Sequence, residues 1–421
     1  MNDSAQSRLN CDQTHQIESP VKFIFARLST LMLAEFFVFG AWFATLGLVL
    51  FTVGQSSIIG YAYMLCAVAA IVSPLTLGAI SDRFISSEKI LALLHIIGGG
   101  IQLALPSVIA SGNSNKILLV IFLYMFCFQP TLGLVNSLSF ENLKGKPNAF
   151  PFLRVFATGG WVLAGLFIGW LGYSSSTGIF TVAGISSILL GLYSFTLPCA
   201  TPAAKVANEK SSLWDAMGGQ SFKLFRNRSF SVLMICALLT SISLGFYNTF
   251  ASNFIGALGI QNVAGVLSLG QLSEVIFIIS VPFVINHIGM KWSLLIGMMM
   301  WGLRFVLFIM SANGYSQTNA IVGVALHGIC NDFFLIISAM YIDRLAPVSL
   351  KAQAQSWLII MISGFGAVFG SGIAGSVYGS TVKTDSVATW TSLWMIPIGI
   401  AIVTSIIWVI GFKENKSEII D

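Results

Sequence analysis

The sequence predicts an all-helical membrane protein, with twelve transmembrane helices arranged as two six-helix bundles. Three observations predict this. The chain of 421 residues is 56% hydrophobic and only 9% charged, with a mean hydropathy of +0.86, whereas a soluble domain carries about 25% charged residues. Crossing the hydrocarbon core takes about 20 apolar residues in a helix, and twelve such runs are centred near residues 40, 68, 99, 127, 162, 188, 242, 274, 302, 331, 366 and 400. Finally, if residue 1 is cytoplasmic, 17 of the 21 basic residues fall on the inside, Lys116 and Lys383 fall outside, and Arg154 and Arg304 lie within runs. That asymmetry follows the positive-inside rule with both termini cytoplasmic.

Residues 1–22 are polar and lack the basic start, apolar stretch and small-residue cleavage site of a signal peptide, so the first span is expected to direct insertion. Residues 23–197 hold the first six runs, 198–228 form a polar cytoplasmic linker, 229–412 hold the second six, and 413–421 are a cytoplasmic tail. A weak repeat relates the halves. The hairpin "GAISDRFISSEKILALL" (78–94) follows the second run as "VINHIGMKWSLLIG" (284–297) follows the eighth. Paired halves of this kind are the usual construction for alternating access about a site at the bilayer midplane. In the eleventh run, Gly366 with Gly370 and Gly375 with Gly379 form small-xxx-small spacings that let helix backbones approach closely.

Several function classes are excluded by the same inventory. The six cysteines show neither a disulfide framework nor metal-type spacing, and no metal or cofactor is expected. No HExxH, GxSxG or phosphate-loop pattern occurs, which argues against an enzyme. The net charge of +5 needs only the loop lysines and arginines of a bilayer protein, so nucleic acid is not an expected partner.

Five charged residues fall inside runs: Glu35 in the first, Arg154 in the fifth, Glu274 in the eighth, Arg304 in the ninth and Asp332 in the tenth. Such residues face the bundle interior and mark solute or proton pathways. Three acids against two bases leave one carboxyl without a fixed counter-charge, and removing a carboxylate from water favours its protonated form. Glu35, Glu274 and Asp332 are therefore candidate proton carriers. Arg154, about a turn into its helix, is also placed to snorkel to the interface, and Arg304 to pair with a carboxylate.

Polar companions accompany these charges at helical spacing. Gln271 and Glu274 are three apart, His327 and Asn331 four apart, and Asp332 lies about 100° around the helix from Asn331. Arg154, Thr158 and Trp161 follow an i, i+4, i+7 stripe. Amide, hydroxyl and aromatic groups of this kind suit a polar, ring-bearing solute.

Five segments, "FQPTLGLVNSLSF" (128–140), "FPFLRVFATGGWV" (150–162), "GQLSEVIFIISVPF" (270–283), "WGLRFVLF" (301–308) and "HGICNDFF" (327–334) running on to "YIDRLAPVSLKAQAQ" (341–355), resemble in order and spacing the bacterial nucleoside:proton symporters of the major facilitator superfamily. The resemblance runs from about residue 27 to 412, and "EFFVFGAWF" (35–43) looks most like a less-characterised branch of nucleoside transporters. It implies the major facilitator fold, nucleoside bound between the halves, and proton-driven import. By motif position Arg154, Thr158, Asn248, Gln271, Glu274 and Asp332 match the family's substrate-site residues, and Trp161 stands where the family has phenylalanine. Gly245 and Glu35 fall where the well-studied permeases have glutamine, His327 where they have tyrosine, and Asn331 where they have phenylalanine.

The expected protein is a monomeric multi-pass carrier of the inner (plasma) membrane, whose partners are the bilayer, a nucleoside-like solute and protons. Asp332 or Glu274 takes a proton from outside while Arg154, Gln271 and Asn248 hold the solute. A carrier for another polar solute such as a sugar, and a solute sensor that moves nothing, are the alternatives.

Overall fold

A computed structural model describes residues 23–84, 86–143, 150–198, 219–347, 350–383 and 385–413. The two polar tails and most of the expected linker lie outside the described residues, as do the side chains of the 78–84 half of the expected repeat. Helix dominates the described residues, which also hold an isolated antiparallel bridge between Lys383 and Ser386. In hydrocarbon every backbone N–H and C=O must be paired within its own segment, and a helix achieves this without neighbours.

The helices are α1 (Ile24–Thr52), α2 (Ile59–Phe84), α3 (Ser87–Ala110), α4 (Ser114–Asn142), α5 (Phe150–Trp170), α6 (Gly178–Ser194) and α7 (Arg228–Ala257). A 50-residue helical run, Val263–Ala312, follows. At 1.5 Å per residue it is about 75 Å long, more than twice the roughly 30 Å core, and it is broken at Gly289, whose φ of 78° is a left-handed conformation open to glycine. Its two arms are α8 (263–288) and α9 (290–312). α10 is Gln317–Ala325 with His327–Leu345, bent by 40° between them; α11 is Gln353–Thr381; α12 is Trp390–Gly411. The twelve expected spans are thus present, the sixth the shortest at 17 residues.

Local sequence sets several boundaries. Asn113, Asn227, Asn262 and Ser316 each accept a hydrogen bond from a backbone N–H in the first turn of the helix that follows, satisfying donors that have no intrahelical partner. Pro106, Pro130, Pro282 and Pro397 sit inside helices, as membrane helices tolerate.

The chain packs as two compact units. The first comprises Met1–Phe43, Ala69–Ala164 and Thr177–Glu209; the second comprises Ala44–Val68, Gly165–Ser176 and Lys210–Asp421. In the first, an aromatic cluster of Phe39, Trp42, Tyr124, Phe128 and Trp161 joins α1, α4 and α5. In the second, an apolar core runs from Phe230 and Leu233 through Leu294 and Phe334 to Trp408. There α7 and α11 meet backbone to backbone, since a Cβ on Gly245 would lie 2.7 Å from Gly370 Cα. Gly245, which departs from the permease glutamine, is the residue this contact requires. Gly370 and Gly375 both make close approaches, as their spacing predicts, whereas Gly379 faces open space.

Candidate functional site

The crossing of α8 over α10 assembles the main polar group of the second unit. A Cβ on Gly328 would lie 2.6 Å from the Glu274 backbone nitrogen, and Gly328 N–H donates to Ser273 Oγ at 2.8 Å. The backbones therefore touch, and the residues flanking the contact, Glu274 on α8 and His327 and Asn331 on α10, face one another. Asn331 Nδ2 donates to Glu274 Oε1 at 2.7 Å and to His327 Nε2 at 2.8 Å, while Nε2 and Oε1 lie 3.4 Å apart. Since Nε2 accepts, the ring hydrogen resides on Nδ1.

Three buried polar atoms of this group have no hydrogen-bond partner among the described residues: His327 Nδ1, Asn331 Oδ1 and Asp332 Oδ2. One is a donor and two are acceptors. Leaving such atoms unmet costs about 1–3 kcal/mol each, which a solute carrying both donors and acceptors would recover.

Asp332 is 4% exposed and opens a π-helical turn, Asp332–Ile336, immediately after the His327–Asn331 turn. π-Bulges are frequent at functional sites. Gln271, Glu274 and Asn248 are each half-buried.

Arg304 lies fully buried in the same unit. Among the described residues it forms no ion pair. Instead its guanidinium stacks over Tyr247 at 4.2 Å and Trp301 at 4.6 Å, and Nε donates to Gly323 O at 2.9 Å. Cation–π contact of this kind contributes about 2 kcal/mol when desolvated. Tyr247 in turn stacks on the His327 ring, with centroids 5.2 Å apart. Tyr247, which the charge-led reading passes over, thereby links Arg304 to the polar group.

In the first unit, Arg154 is exposed, with its guanidinium over the Phe36 ring at 5.2 Å, and Thr158 is half-buried a turn further on. Trp161 packs edge-on against Phe39, with centroids 4.9 Å apart. Glu35 is completely buried and bonded to His95 and Thr131. His95 is a second residue absent from the sequence-based expectation: in "LALLHIIGGG" (91–100) it has no polar companion at i+3 or i+4 to mark it.

The chain and its helical fold have counterparts. Residues 23–417 match the nucleoside H+ symporter family. The chain belongs to that family. Among its relatives in Escherichia coli are the "Putative nucleoside transporter YegT", 32% identical over 94% of this chain and 95% of the relative, the nucleoside permease NupG, 26% identical over 93% and 97%, and the xanthosine permease, 28% identical over 92% and 96%. The crystal structure of NupG superposes with a TM-score of 0.82 at 25% identity, covering 93% of this chain and all of that one. A POT-family peptide transporter shares the fold, with a TM-score of 0.66 at 13% identity. This symporter is therefore a multi-pass membrane transporter with the major facilitator fold, not an enzyme.

Proposed function

We propose that this symporter imports nucleosides or nucleoside-like polar solutes together with protons by alternating access, and that Glu274, Asn331, His327 and Asp332 form the polar side of its solute site. The observation that carries the assignment is the bridging of Glu274 and His327 by Asn331 beside three buried, unmatched polar atoms, in a chain of the nucleoside H+ symporter family. A nucleoside presents ring nitrogens, carbonyls and hydroxyls in one molecule, which suits that mixture of donor and acceptors. Gln271 and Asn248 add amides from α8 and α7, and Arg154, Thr158 and Trp161 of the first unit are further proposed solute-binding residues, offering a cation, a hydroxyl and an aromatic face.

Asp332 or Glu274 takes up the proton from outside, and the loaded, charge-compensated carrier turns inward. One charge moving down 100 mV supplies about 2.3 kcal/mol, or roughly fifty-fold accumulation. The carrier works as a monomer in the inner membrane, and the distribution of its basic residues favours cytoplasmic placement of both termini.

The test is a thermal-shift panel of nucleosides, nucleobases and sugars on the purified protein, repeated with Glu274→Gln and Asp332→Asn. Nucleosides should raise the Tm of the wild type, and both substitutions should abolish that rise. Stabilisation by sugars alone would replace the solute assignment.

A further inference from the structure

A separate acid–imidazole cluster lies wholly within the first unit. Glu35 of α1 and His95 of α3 are 0% and 1% exposed. Glu35 Oε2 and His95 Nε2 lie 2.7 Å apart. Two hydroxyls complete the cluster: Thr131 Oγ1 of α4 is 2.5 Å from Glu35 Oε1, and Ser187 Oγ of α6 is 3.1 Å from His95 Nδ1. Each hydroxyl also reaches a backbone acceptor, Phe128 O at 2.5 Å for Thr131 and His95 O at 2.9 Å for Ser187. A hydroxyl has one hydrogen to donate and two lone pairs. Each can therefore donate to one of its neighbours at a time.

This choice lets the cluster hold two different numbers of protons with its polar atoms satisfied. When Ser187 donates to the His95 carbonyl, its oxygen accepts from Nδ1–H, and the short contact between Nε2 and Oε2 then needs a hydrogen of its own. The pair is an imidazolium facing a carboxylate, or an imidazole facing a carboxylic acid, and is neutral overall. When the Ser187 hydroxyl turns onto Nδ1, the ring keeps only its Nε2 hydrogen, which it donates to ionised Glu35, and Thr131 donates to the other carboxylate oxygen. The pair now carries one negative charge and one proton fewer. The interconversion is rotation of one hydroxyl plus gain or loss of one proton. A pair serving only to pin α1 to α3 needs one of these states.

Among the described residues, other titratable or charged groups near the cluster are few. From α5, Arg154 reaches over the ring of Phe36, the neighbour of Glu35. From α4, Tyr124 stacks on Phe128, whose ring stands edge-on to His95. From α6 the contact is the Ser187 hydroxyl.

We propose that Glu35 and His95 form a reversible proton-binding site of the transport cycle, with the Ser187 hydroxyl as the rotor that accommodates release. The proposal rests on the proton-coupled reading above and places a proton-carrying site in the first unit, apart from the Glu274–Asn331–His327 group.

The experiment uses the full chain in proteoliposomes with uridine as probe, comparing gradient-driven accumulation with counterflow, which needs no net proton movement. In Glu35→Gln, accumulation at 100 mV should fall by about fifty-fold, the share of one proton, while counterflow persists. Wild-type accumulation in that variant, or equal loss of accumulation and counterflow in folded protein, overturns the site. A second measurement needs no change at the cluster: 15N spectra of histidine-labelled protein in liposomes, in a His15→Gln, His287→Gln background. His95 should exchange between two ring states as the pH of the sample is varied, and one unchanging state overturns the site. A wild type that shows no uridine counterflow counts against the nucleoside reading, and the His95 spectra then decide the site independently.

Discussion

At the scale of single residues, Asn331 has the most to do for its size. One amide nitrogen holds a carboxylate and an imidazole that would otherwise face each other 3.4 Å apart. Asn331→Leu keeps the branched shape and removes both donor hydrogens. A hydrogen bond to a charged group is worth about 1.5–3 kcal/mol, so uptake efficiency (kcat/KM) should fall roughly 10- to 150-fold, as measured by initial rates of nucleoside uptake. Unchanged uptake would separate this triad from the solute path. His327, Asn331 and Glu274 were legible because a charge inside an apolar run has few physical excuses, and a spacing of four puts polar groups on one face. Ser273 and Gly328, which bring the two helices into contact, were not. Small residues abound in membrane helices, and nothing local marks which of them meet. The ring stack of Arg304 was equally hidden, because an arginine and a carboxylate in neighbouring spans suggest an ion pair until Tyr247 and Trp301 are seen beneath the guanidinium.

At the scale of elements, α10 departs most from a plain helix. It bends by 40° just before His327 and widens into a π-helical turn from Asp332 to Ile336, so the three polar residues lie between two irregularities. A period of 3.6 placed the span correctly but could not reveal the extra residue of the wide turn, which has no compositional signature in "DFFLI". By contrast, the break at Gly289 was legible as a short polar hairpin between two apolar runs, even though the helical hydrogen bonding runs almost continuously through it. The contact of α10 with α8 gives a direct test. A methyl group at position 328 would meet α8 backbone that cannot rotate aside, and overpacking of this kind costs about 1–3 kcal/mol. Gly328→Ala should lower Tm and reduce uptake together. Gly379→Ala in α11, where an added Cβ meets nothing within 4 Å, should leave both intact or raise Tm slightly, because alanine is favoured over glycine in a helix by roughly 0.5–1 kcal/mol. A neutral Gly328→Ala would mean that α8 and α10 are not held in contact at this point.

At the scale of the whole molecule, the second unit contains more than the second half of the sequence. Ala44–Val68 and Gly165–Ser176, which carry the far ends of α1 and α5 and the start of α2, pack with Lys210–Asp421. The contacts inside that unit are close and specific. Asn253 Nδ2 donates to Gly47 O at 3.0 Å, Ala264 N–H donates to Ser174 Oγ at 3.2 Å, and a Cβ on Gly60 would lie 2.6 Å from Gly375 Cα. An even division into six and six helices follows from span counting, but the packing of these segments depends on the conformation in which the carrier rests, and hydropathy carries no record of that. Rocking carriers alternate between two such packings, so these contacts must break and reform in each cycle. Gly60→Leu places a large side chain where two backbones touch and should disfavour the packed arrangement. A cysteine at Met64, whose Sδ lies 3.5 Å from the Cβ position of Gly372 on α11, reports on it. In a background without the six native cysteines, maleimide labelling of Met64→Cys should accelerate severalfold when Gly60→Leu is added, and nucleoside should alter the rate in the parent but less in the double variant. Equal labelling rates with and without Gly60→Leu would show that α2 and α11 separate too rarely, or too freely, for this contact to govern the cycle.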